Sequence, residues 1–352
     1  MTGLKFRAAV LRDSGQPLLI EELVAPKLGR GQVLVRLDYS GVCRSQLMEV
    51  RGLRGADQWL PHLLGHEGTG KVVEVGPDVT KVRAGDDVIL GWIRGQGLDV
   101  SGPKYAMSAG VINSGAVTTF SEYTIASENR VFARPSSVTG PEATLFGCAL
   151  LTGAGMALHE LVHPSPESIL ILGLGGVGLS ALIGACSVQP ALLIAADPSP
   201  AKRDLALKLG ATHALDPSEP DFAATVHALS GGGVEECIES GGTTGSIELG
   251  LACVHPKGGA LVFASHPPAG ERISLDPFEL INGKQIRGSW GGAADPDADI
   301  PLLAAVVAES GIDLGLLVDA SYTLDSINQA LADLDGGTVV RPCIDLRELG
   351  RA

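Results

Sequence analysis

The sequence lacks the features that mark secreted, disulfide-rich and membrane-spanning proteins. Its 352 residues include six cysteines, far fewer than a disulfide scaffold carries. The N-terminal residues contain no apolar core typical of a secretory signal, and no apolar run approaches the roughly 18 residues of a membrane-spanning helix. We therefore expect a protein of the reducing cytoplasm with no membrane partner.

Positive charge is also scarce. Lysine and arginine total 26 residues against 40 aspartates and glutamates, which gives a formal net charge of −14. Such an acidic chain is not expected to bind nucleic acid or anionic membranes. Hydrophobic residues make up 45% of the sequence and the mean hydropathy is +0.24, so the chain is predicted to be a well-buried globular protein. Its length exceeds that of a single hydrophobic core and predicts two domains.

The first 150 residues have the pattern of a mostly antiparallel, barrel-like domain. Short β-like runs occur within residues 5–40 and again at 70–75 and 87–90, separated by turn signals rich in glycine and proline. No helical period of useful length appears before about residue 143.

The pattern changes after residue 151 to alternating strands and helices. Such alternation is typical of a parallel sheet covered by helices. The segment from residue 291 onward, which ends in a β-like run at 339–346, is assigned back to the first domain. The predicted fold is α/β, with a doubly wound Rossmann sheet in residues 151–290 and a barrel-like domain made of residues 1–150 and 291–352. The strand-like runs are 169–172, 192–195, 236–239 and 260–264, and the helix-like runs are 179–187, 201–209, 243–252 and 300–309.

A glycine run after residue 172 has the spacing of a pyrophosphate-binding turn. It stands between a strand-like and a helix-like run, and Asp197 lies 19 residues beyond Gly178, which is the context that makes this motif specific. The three glycines of the motif permit a tight turn, a close approach of phosphate and close packing of helix on strand. The predicted pyrophosphate-binding residues are Gly173, Gly175, Gly176, Val177 and Gly178.

The nicotinamide cofactor is predicted to be NAD in preference to NADP. Asp197 is expected to accept hydrogen bonds from the adenosine ribose, and its negative charge would repel a 2′-phosphate. Lys202, about one helical turn further on, is expected to reach the same ribose. The alternative is a glycine turn in an unrelated parallel-sheet protein.

Two cysteines and a histidine form a candidate metal site. Thiolate and imidazole ligands suit zinc, and three protein ligands with one open position are the pattern of a catalytic zinc. The candidates are Cys43, His66 and Cys148, which lie far apart in the sequence. Spacing alone leaves open the alternative of two buried cysteines and a histidine that serves the core.

The motifs around these residues resemble those of the zinc-dependent medium-chain alcohol dehydrogenase superfamily over essentially the whole chain. Members of that superfamily join a GroES-like catalytic domain to a Rossmann domain. Two cysteines and a histidine are the catalytic ligand set of that family, which agrees with the candidate metal site in this sequence. The motifs that carry the resemblance, in the family's order, are Gly41-Val42-Cys43-Arg44-Ser45, Gly65-His66-Glu67-Gly68, Gly85-Asp86, Gly147-Cys148 with Thr152-Gly153, and Gly173–Gly178.

The resemblance implies that the three candidate ligands hold one catalytic zinc, with water or the substrate oxygen in the fourth position. Glu67 matches a carboxylate near the metal, and Ser45 matches the hydroxyl that relays the alcohol proton. Arg44 and Arg341 match cations that meet the cofactor pyrophosphate, and Thr152 falls in a segment assigned to the cofactor. For the two arginines the alternative is a solvated surface charge. Family members usually form homodimers or homotetramers, and we leave the choice between them open.

The chain departs from its relatives in several positions. Residues 91–120 contain no cysteine, so the lobe that binds a structural zinc in many relatives is not expected here. Gln46 stands where an aspartate commonly braces the metal-binding histidine, and Met48 replaces a relay histidine. The proton route beyond Ser45 therefore stays open, with His62 and Glu67 as alternatives. The remaining cysteines are predicted to be core residues: Cys186, Cys237, Cys253 and Cys343.

Two positions give hints about the substrate pocket. Trp92 matches a pocket-lining aromatic residue, and Ser114 falls where relatives that act on ethanol carry bulky apolar side chains. A wider, more polar pocket would suit a polyol or another secondary alcohol. The alternative is that the loop around Ser114 is only rearranged by the loss of the zinc lobe.

Three functions compete at this point. The leading prediction is an NAD-dependent zinc alcohol dehydrogenase that interconverts a small alcohol and its ketone or aldehyde. A metal-independent, NADP-linked quinone or enoyl reductase of the same fold is the alternative enzyme class, and the metal ligands and Asp197 argue against it. A non-catalytic nucleotide-binding scaffold is the third, kept open by Gln46.

Overall fold

The computed structural model describes residues 3–107, 110–264 and 267–347. The chain forms two compact units, one made of residues 1–148 and 295–352 and the other of residues 149–294. The sequence had suggested changes of domain after residues 150 and 290. In the structure they fall after residues 148 and 294. The closing segment packs with the first unit.

The strands in chain order are β1 (Lys5–Leu11), β2 (Leu19–Val24), β3 (Gln32–Gly41), β4 (His62–Leu63), β5 (Gly68–Val75), β6 (Asp87–Leu90), β7 (Lys104–Met107), β8 (Gly110–Asn113), β9 (Tyr123–Ser127), β10 (Val131–Ala133), β11 (Ser168–Leu172), β12 (Leu192–Ala196), β13 (His213–Leu215), β14 (Glu236–Glu239), β15 (Ala260–Phe263), β16 (Gln285–Gly288), β17 (Ala320–Tyr322) and β18 (Pro342–Asp345). The α-helices are α1 (Arg44–Val50), α2 (Ala149–His159), α3 (Gly176–Ser187), α4 (Pro200–Lys208), α5 (Phe222–Ser230), α6 (Thr244–Cys253), α7 (Pro277–Ile281), α8 (Pro296–Ser310) and α9 (Ile327–Asp335).

The first unit is built on two sheets, and the long strand β3 lies in the larger of them. Strands β1, β2, β7, β8 and β4 close into a small barrel, and a seven-stranded sheet runs in the order β10-β6-β5-β3-β18-β17, with β9 also paired to β3. Side chains alternate along a strand, so β3 serves two hydrophobic clusters. Val33, Val35 and Leu37 enter one cluster, and Leu34 enters the other.

The segment that replaces the cysteine-rich lobe of many relatives is organised by a carboxylate. Glu128 is 1% exposed and accepts backbone N–H bonds from Thr80, Lys81 and Leu98 at 2.6–2.8 Å. Three charge-assisted bonds to one side chain fix two separate loops in place. Residues 104–107 and 110–113 form β7 and β8, which pair antiparallel.

The second unit is a six-stranded, wholly parallel sheet in the order β13-β12-β11-β14-β15-β16. This is the strand order of a Rossmann sheet, with β11 as the first strand and the order reversing beside it. All five residues of β11 are buried, as expected of a strand covered by helices on both faces. The predicted α/β fold, with a barrel-like sheet in one unit and a doubly wound parallel sheet in the other, is confirmed.

Some sequence expectations need correction. The first 143 residues were expected to lack a helix of useful length, yet the seven-residue helix α1 is present there. The β-like run predicted at 339–346 is strand only over Pro342–Asp345. Cys237, Cys253 and Cys343 are buried as predicted, whereas Cys186 is only partly buried.

Among the residues that the structure describes, no single helix is long and apolar enough to cross a membrane. The segment Gly140–Gly147 and the helix α2 pass that test only when they are taken together.

Replacement of Glu128 by glutamine tests its role as a loop clamp. Burial alone would raise the pKa of Glu128, but the N–H groups of Leu98, Thr80 and Lys81 outweigh it and hold the pKa below the ordinary 4.5. The wild-type stabilisation is therefore present above pH 4.5 and is lost as the pH falls through the lowered pKa. At pH 7 we expect Glu128→Gln to lower the unfolding free energy by about 2 kcal/mol, with the gap to wild type closing in acid.

The measurement is thermal unfolding of both proteins as a function of pH. Glu22→Gln is the matched control, because Glu22 pairs with Lys5 on the surface and exposed ion pairs contribute little. Equal melting temperatures for wild type and Glu128→Gln at pH 7 would show that the carboxylate is not the clamp.

Candidate active site

Four potential metal ligands converge in the first unit. One donor atom from each of Cys43, His66, Glu67 and Cys148 lies within 4.8 Å of all the others. The two sulfur atoms are 4.0 Å apart, about twice the length of a disulfide bond, so both thiols are free. Zinc–sulfur bonds of about 2.3 Å at a tetrahedral centre place two sulfurs roughly 3.8 Å apart. The spacing and the donor types both suit zinc.

Glycines in the flanking motifs make this convergence possible. Gly65, in the turn before the histidine, has φ +86°, and a Cβ there would lie 2.5 Å from the hydroxyl of Thr119. A Cβ on Gly41 would lie 2.9 Å from the carboxylate carbon of Glu67, and one on Gly147 would lie 2.3 Å from the carbonyl oxygen of Leu90. Contacts this short essentially do not occur in proteins, so a side chain at Gly41 would displace Glu67 and one at Gly147 would displace the chain at Leu90.

Glu67 forms a buried ion pair with Arg341. The Glu67 carboxylate accepts a bond from the guanidinium, and the two residues are 0% and 3% exposed. The alternative of a solvated surface charge is therefore wrong for Arg341, whereas Arg44 is exposed at the first position of α1. Sequence reasoning placed Arg341 near a cofactor and missed its partner, because 274 residues separate the two.

Three buried polar atoms at this site have no hydrogen-bond partner among the described residues. They are Glu67 Oε1, Arg341 Nε and Ser45 Oγ. Buried polar atoms are nearly always paired, and unpaired ones point to an ion, water or ligand that completes them. Glu67, whose carboxylate carries one of these orphaned oxygens, belongs to the four-residue cluster, as expected of a pocket for a cation.

The pKa values of the two thiols shift in opposite directions. The contact with the Cys148 thiol lowers the pKa of Cys43 well below its usual value, and the charge of Arg341 adds to this effect against the cost of burial. The contact with Cys43 in turn raises the pKa of Cys148 well above its usual value. Burial disfavours a charge on His66, but its bond to Cys43 raises its pKa overall. A preformed thiolate is the form in which cysteine binds a metal.

Gln46 lies within hydrogen-bond distance of the imidazole ring of His66. Its Nε2 lies 3.0 Å from His66 Nδ1 and 3.4 Å from a carboxylate oxygen of Glu49. Its Oε1 accepts the backbone N–H of Gly65. Gln46 is 5% exposed, so these contacts are closed to bulk water.

His62 belongs to a separate cluster. Its Nε2 is 2.7 Å from Asp57 and 4.0 Å from Glu49, and its Nδ1 is 2.9 Å from the carbonyl of Leu63. Both ring nitrogens therefore already face oxygen acceptors. This occupation argues against His62 as the next group in a proton route from Ser45.

In the second unit, the predicted phosphate-binding turn has the expected geometry. Gly173 has φ +88°, and a Cβ on Gly178 would lie 1.8 Å from the Gly173 carbonyl oxygen. A Cβ on Gly175 would meet nothing within 4 Å, so the backbone there is open to a ligand. Gly175 is the N-cap of α3, whose first residues are Gly176 and Val177. The free N–H groups at this end of the helix suit an anion.

Asp197 directly follows β12 and holds the turn in place. Its two carboxylate oxygens accept the backbone N–H groups of Leu174 and Ser199 at 2.8 and 2.9 Å. Lys202 is partly exposed on α4, and Thr152 is buried on α2. The sequence did not foresee that Asp197 also organises the glycine turn.

The two predicted pocket residues lie in different settings. The backbone N–H of Trp92 bonds the carbonyl of Gly147 at 3.3 Å, one residue from the metal-site cysteine. The Ser114 hydroxyl lies 3.1 Å from that of Thr118, within its own loop. The structure thus places Trp92 beside the motif of Cys148 and shows only local contacts for Ser114.

Comparison with known proteins agrees with this architecture. The family model described as the alcohol dehydrogenase GroES-like domain matches residues 29–136, and the model described as zinc-binding dehydrogenase matches residues 176–309. An S-(hydroxymethyl)glutathione dehydrogenase of Synechocystis sp. is 30% identical, over 97% of this chain and 100% of its own length.

Solved structures show the same similarity. An alcohol dehydrogenase zinc-binding domain protein from Burkholderia ambifaria has a TM-score of 0.88 at 29% identity. Benzyl alcohol dehydrogenase from Acinetobacter calcoaceticus has a TM-score of 0.87 at 28% identity. Both alignments cover 97% of this chain and 99% of the other. The chain belongs to the zinc-dependent medium-chain alcohol dehydrogenase superfamily and is an oxidoreductase of the alcohol dehydrogenase type.

Substitution of one thiol tests the metal site. We expect the purified wild type to carry one zinc per chain and Cys43→Ala to lose it, because only His66 and Cys148 of the three proposed ligands would remain and Arg341 holds the carboxylate of Glu67. Elemental analysis of the dialysed proteins measures this. Cys186→Ala is the matched control, since Cys186 lies on α3 in the second unit and should leave the zinc content unchanged. Full zinc content in Cys43→Ala would refute the assignment.

Proposed function

We propose that the protein is a cytoplasmic, NAD-dependent zinc alcohol dehydrogenase that interconverts a secondary alcohol or polyol and its carbonyl counterpart. The observation that carries the proposal is the convergence of Cys43, His66 and Cys148 beside Glu67, whose carboxylate keeps one oxygen unpaired among the described residues. Two thiols and an imidazole, with a further position left for water or substrate, are the pattern of a catalytic zinc.

Each residue of the candidate metal site has a proposed role in the reaction. Cys43, His66 and Cys148 would hold the zinc, and Glu67 would stay within reach of it while Arg341 neutralises the carboxylate. Zinc bound there would polarise the substrate oxygen and lower the pKa of the alcohol hydroxyl. Ser45 would relay the hydroxyl proton, accepting it at an oxygen that has no partner among the described residues while its own proton passes on toward solvent.

The second unit supports the choice of NAD. The open backbone at Gly175 and the start of α3 would bind the pyrophosphate, and Asp197 at the end of β12 would bind the adenosine ribose. NAD bound there would accept the hydride in the oxidation direction. The carboxylate of Asp197 would oppose the extra phosphate of NADP.

Two substrate classes deserve a direct comparison. Replacement of the zinc lobe by the β7–β8 hairpin, with Ser114 just after it, supports a polar substrate such as a polyol. The relative named benzyl alcohol dehydrogenase, together with Trp92 beside Gly147, favours an aromatic alcohol as the second candidate. A metal-independent NADP-linked reductase is disfavoured by the metal cluster and by Asp197.

We further propose that the protein is a homodimer or homotetramer that associates through the edge strand β16. Three of the four residues of β16 are exposed, and the strand pairs only with β15 among the described residues. Large apolar side chains are exposed close by in the sequence, with Phe278 at 68%, Ile281 at 78% and Trp290 at 80%. Exposed strand edges and apolar patches of this kind are suited to pairing with another chain.

The experiment that tests the proposed reaction combines metal analysis with a substrate panel. Reduction of NAD would be followed with aliphatic secondary alcohols, polyols and benzyl alcohols, before and after removal of zinc by a chelator and after its return. We expect zinc-dependent NAD reduction with at least one class. Turnover that persists in the zinc-free protein, or activity confined to NADP and quinones, would contradict the proposal.

Cofactor choice is tested by Asp197→Ser. We expect kcat/KM for NADP relative to NAD to rise at least about tenfold, because loss of the charge removes the repulsion and a serine still accepts a bond. Asp204→Ser removes an equal charge from the exposed side of α4 and is the control. An unchanged ratio in Asp197→Ser, with the melting temperature retained, would remove Asp197 from the ribose site.

A further inference from the structure

The orientation of the Gln46 amide is fixed by two neighbours. The backbone N–H of Gly65 can only donate, so the atom that meets it must be the amide oxygen. The carboxylate of Glu49 can only accept when ionised, and it faces the amide nitrogen at 3.4 Å. The same nitrogen therefore faces His66 Nδ1 at 3.0 Å, and it faces it as a donor.

This orientation sets the tautomer of the histidine. A ring nitrogen that accepts a bond from an amide N–H carries no proton, so neutral His66 must carry its proton on Nε2. With Nδ1 held by Gln46, Nε2 is the ring nitrogen left for a metal. A histidine that binds a metal normally does the opposite, because it donates its second N–H to an acceptor. In this chain Gln46 presents an N–H donor to Nδ1 of His66, where a metal-bound histidine would need a hydrogen-bond acceptor.

We propose that Gln46 is a positioning residue that holds His66 in the tautomer opposed to zinc binding. Loading the metal then requires the amide to turn over, so that its oxygen accepts the Nδ1 proton. Once the amide has rotated, its N–H donors face the N–H donor of Gly65, and its oxygen faces the carboxylate acceptor of Glu49. Both hydrogen bonds are then lost. Because Gln46 is buried, water does not replace the lost bonds. The site therefore holds its zinc more weakly than the same site with a carboxylate brace. This inference rests on the proposed zinc function.

Exchange of the two side chains tests the inference at constant charge. In the double variant Gln46→Glu with Glu49→Gln, a carboxylate can accept from both Gly65 and His66, and the new amide at position 49 can donate to it. Zinc dissociation constants would be measured by competition with a chromogenic chelator. We expect the double variant to bind zinc about 10–100-fold more tightly than wild type, the usual effect of a partner behind the ligand.

Single variants separate polarity from charge. Glu49→Gln alone keeps the amide at position 46 and should not tighten binding. Gln46→Glu alone should tighten binding less than the double variant, because the new carboxylate stands beside Glu49. Equal zinc affinity of wild type and the double variant would overturn the inference while leaving the zinc function intact. Failure of wild type to bind zinc at all would instead overturn the proposed function.

A spectroscopic measurement covers the case in which a variant fails to fold. Long-range proton–nitrogen NMR spectra of the metal-free wild type, at a pH where the ring is neutral, report which nitrogen of each histidine carries the proton. The signals of His66 would be assigned by their loss in His66→Gln. We expect an unprotonated Nδ1. A protonated Nδ1 in the wild type would overturn the inference irrespective of any affinity.

Discussion

The candidate active site depends on the buried contact between Glu67 and Arg341. A carboxylate beside two thiols in an apolar interior would be strongly unfavourable alone, because negative charges gather there without water. Arg341 supplies the opposing charge, pairs with Glu67 and favours the thiolate at Cys43. Removing one member of such a pair leaves an uncompensated buried charge. The rest of the site is arranged around this balance.

The fold around that contact could be anticipated from the sequence where the pattern is local. The alternating run in β3 and the continuous apolar run in β11 predicted strands, and both are present. The roles given to Gly173 and Gly178 correspond to the positive φ of the first and the close approach of the second to its carbonyl. These features can be predicted from the sequence because each depends on only a few neighbouring residues.

Other features could not be read because they depend on partners far along the chain. The strand β4 has two residues and exists only through its pairing with β1 and β8. The helix α1 is too short to show a period, and the partner of Arg341 leaves no trace in the sequence. In contrast, α9 buries Ile327, Ala330, Leu331 and Leu334, a spacing that would have predicted the helix.

The architecture of the first unit also has a consequence for the order of assembly during synthesis. The second unit is one continuous segment, residues 149–294, and every part of it has been made before the ribosome reaches Arg341. Domains generally fold as units while translation proceeds. The N-terminal sheet therefore lacks a strand, and the charge of Glu67 lacks its partner, until β18 is made and pairs with β3. The candidate metal site is therefore completed late in synthesis, only after Arg341 has left the ribosome.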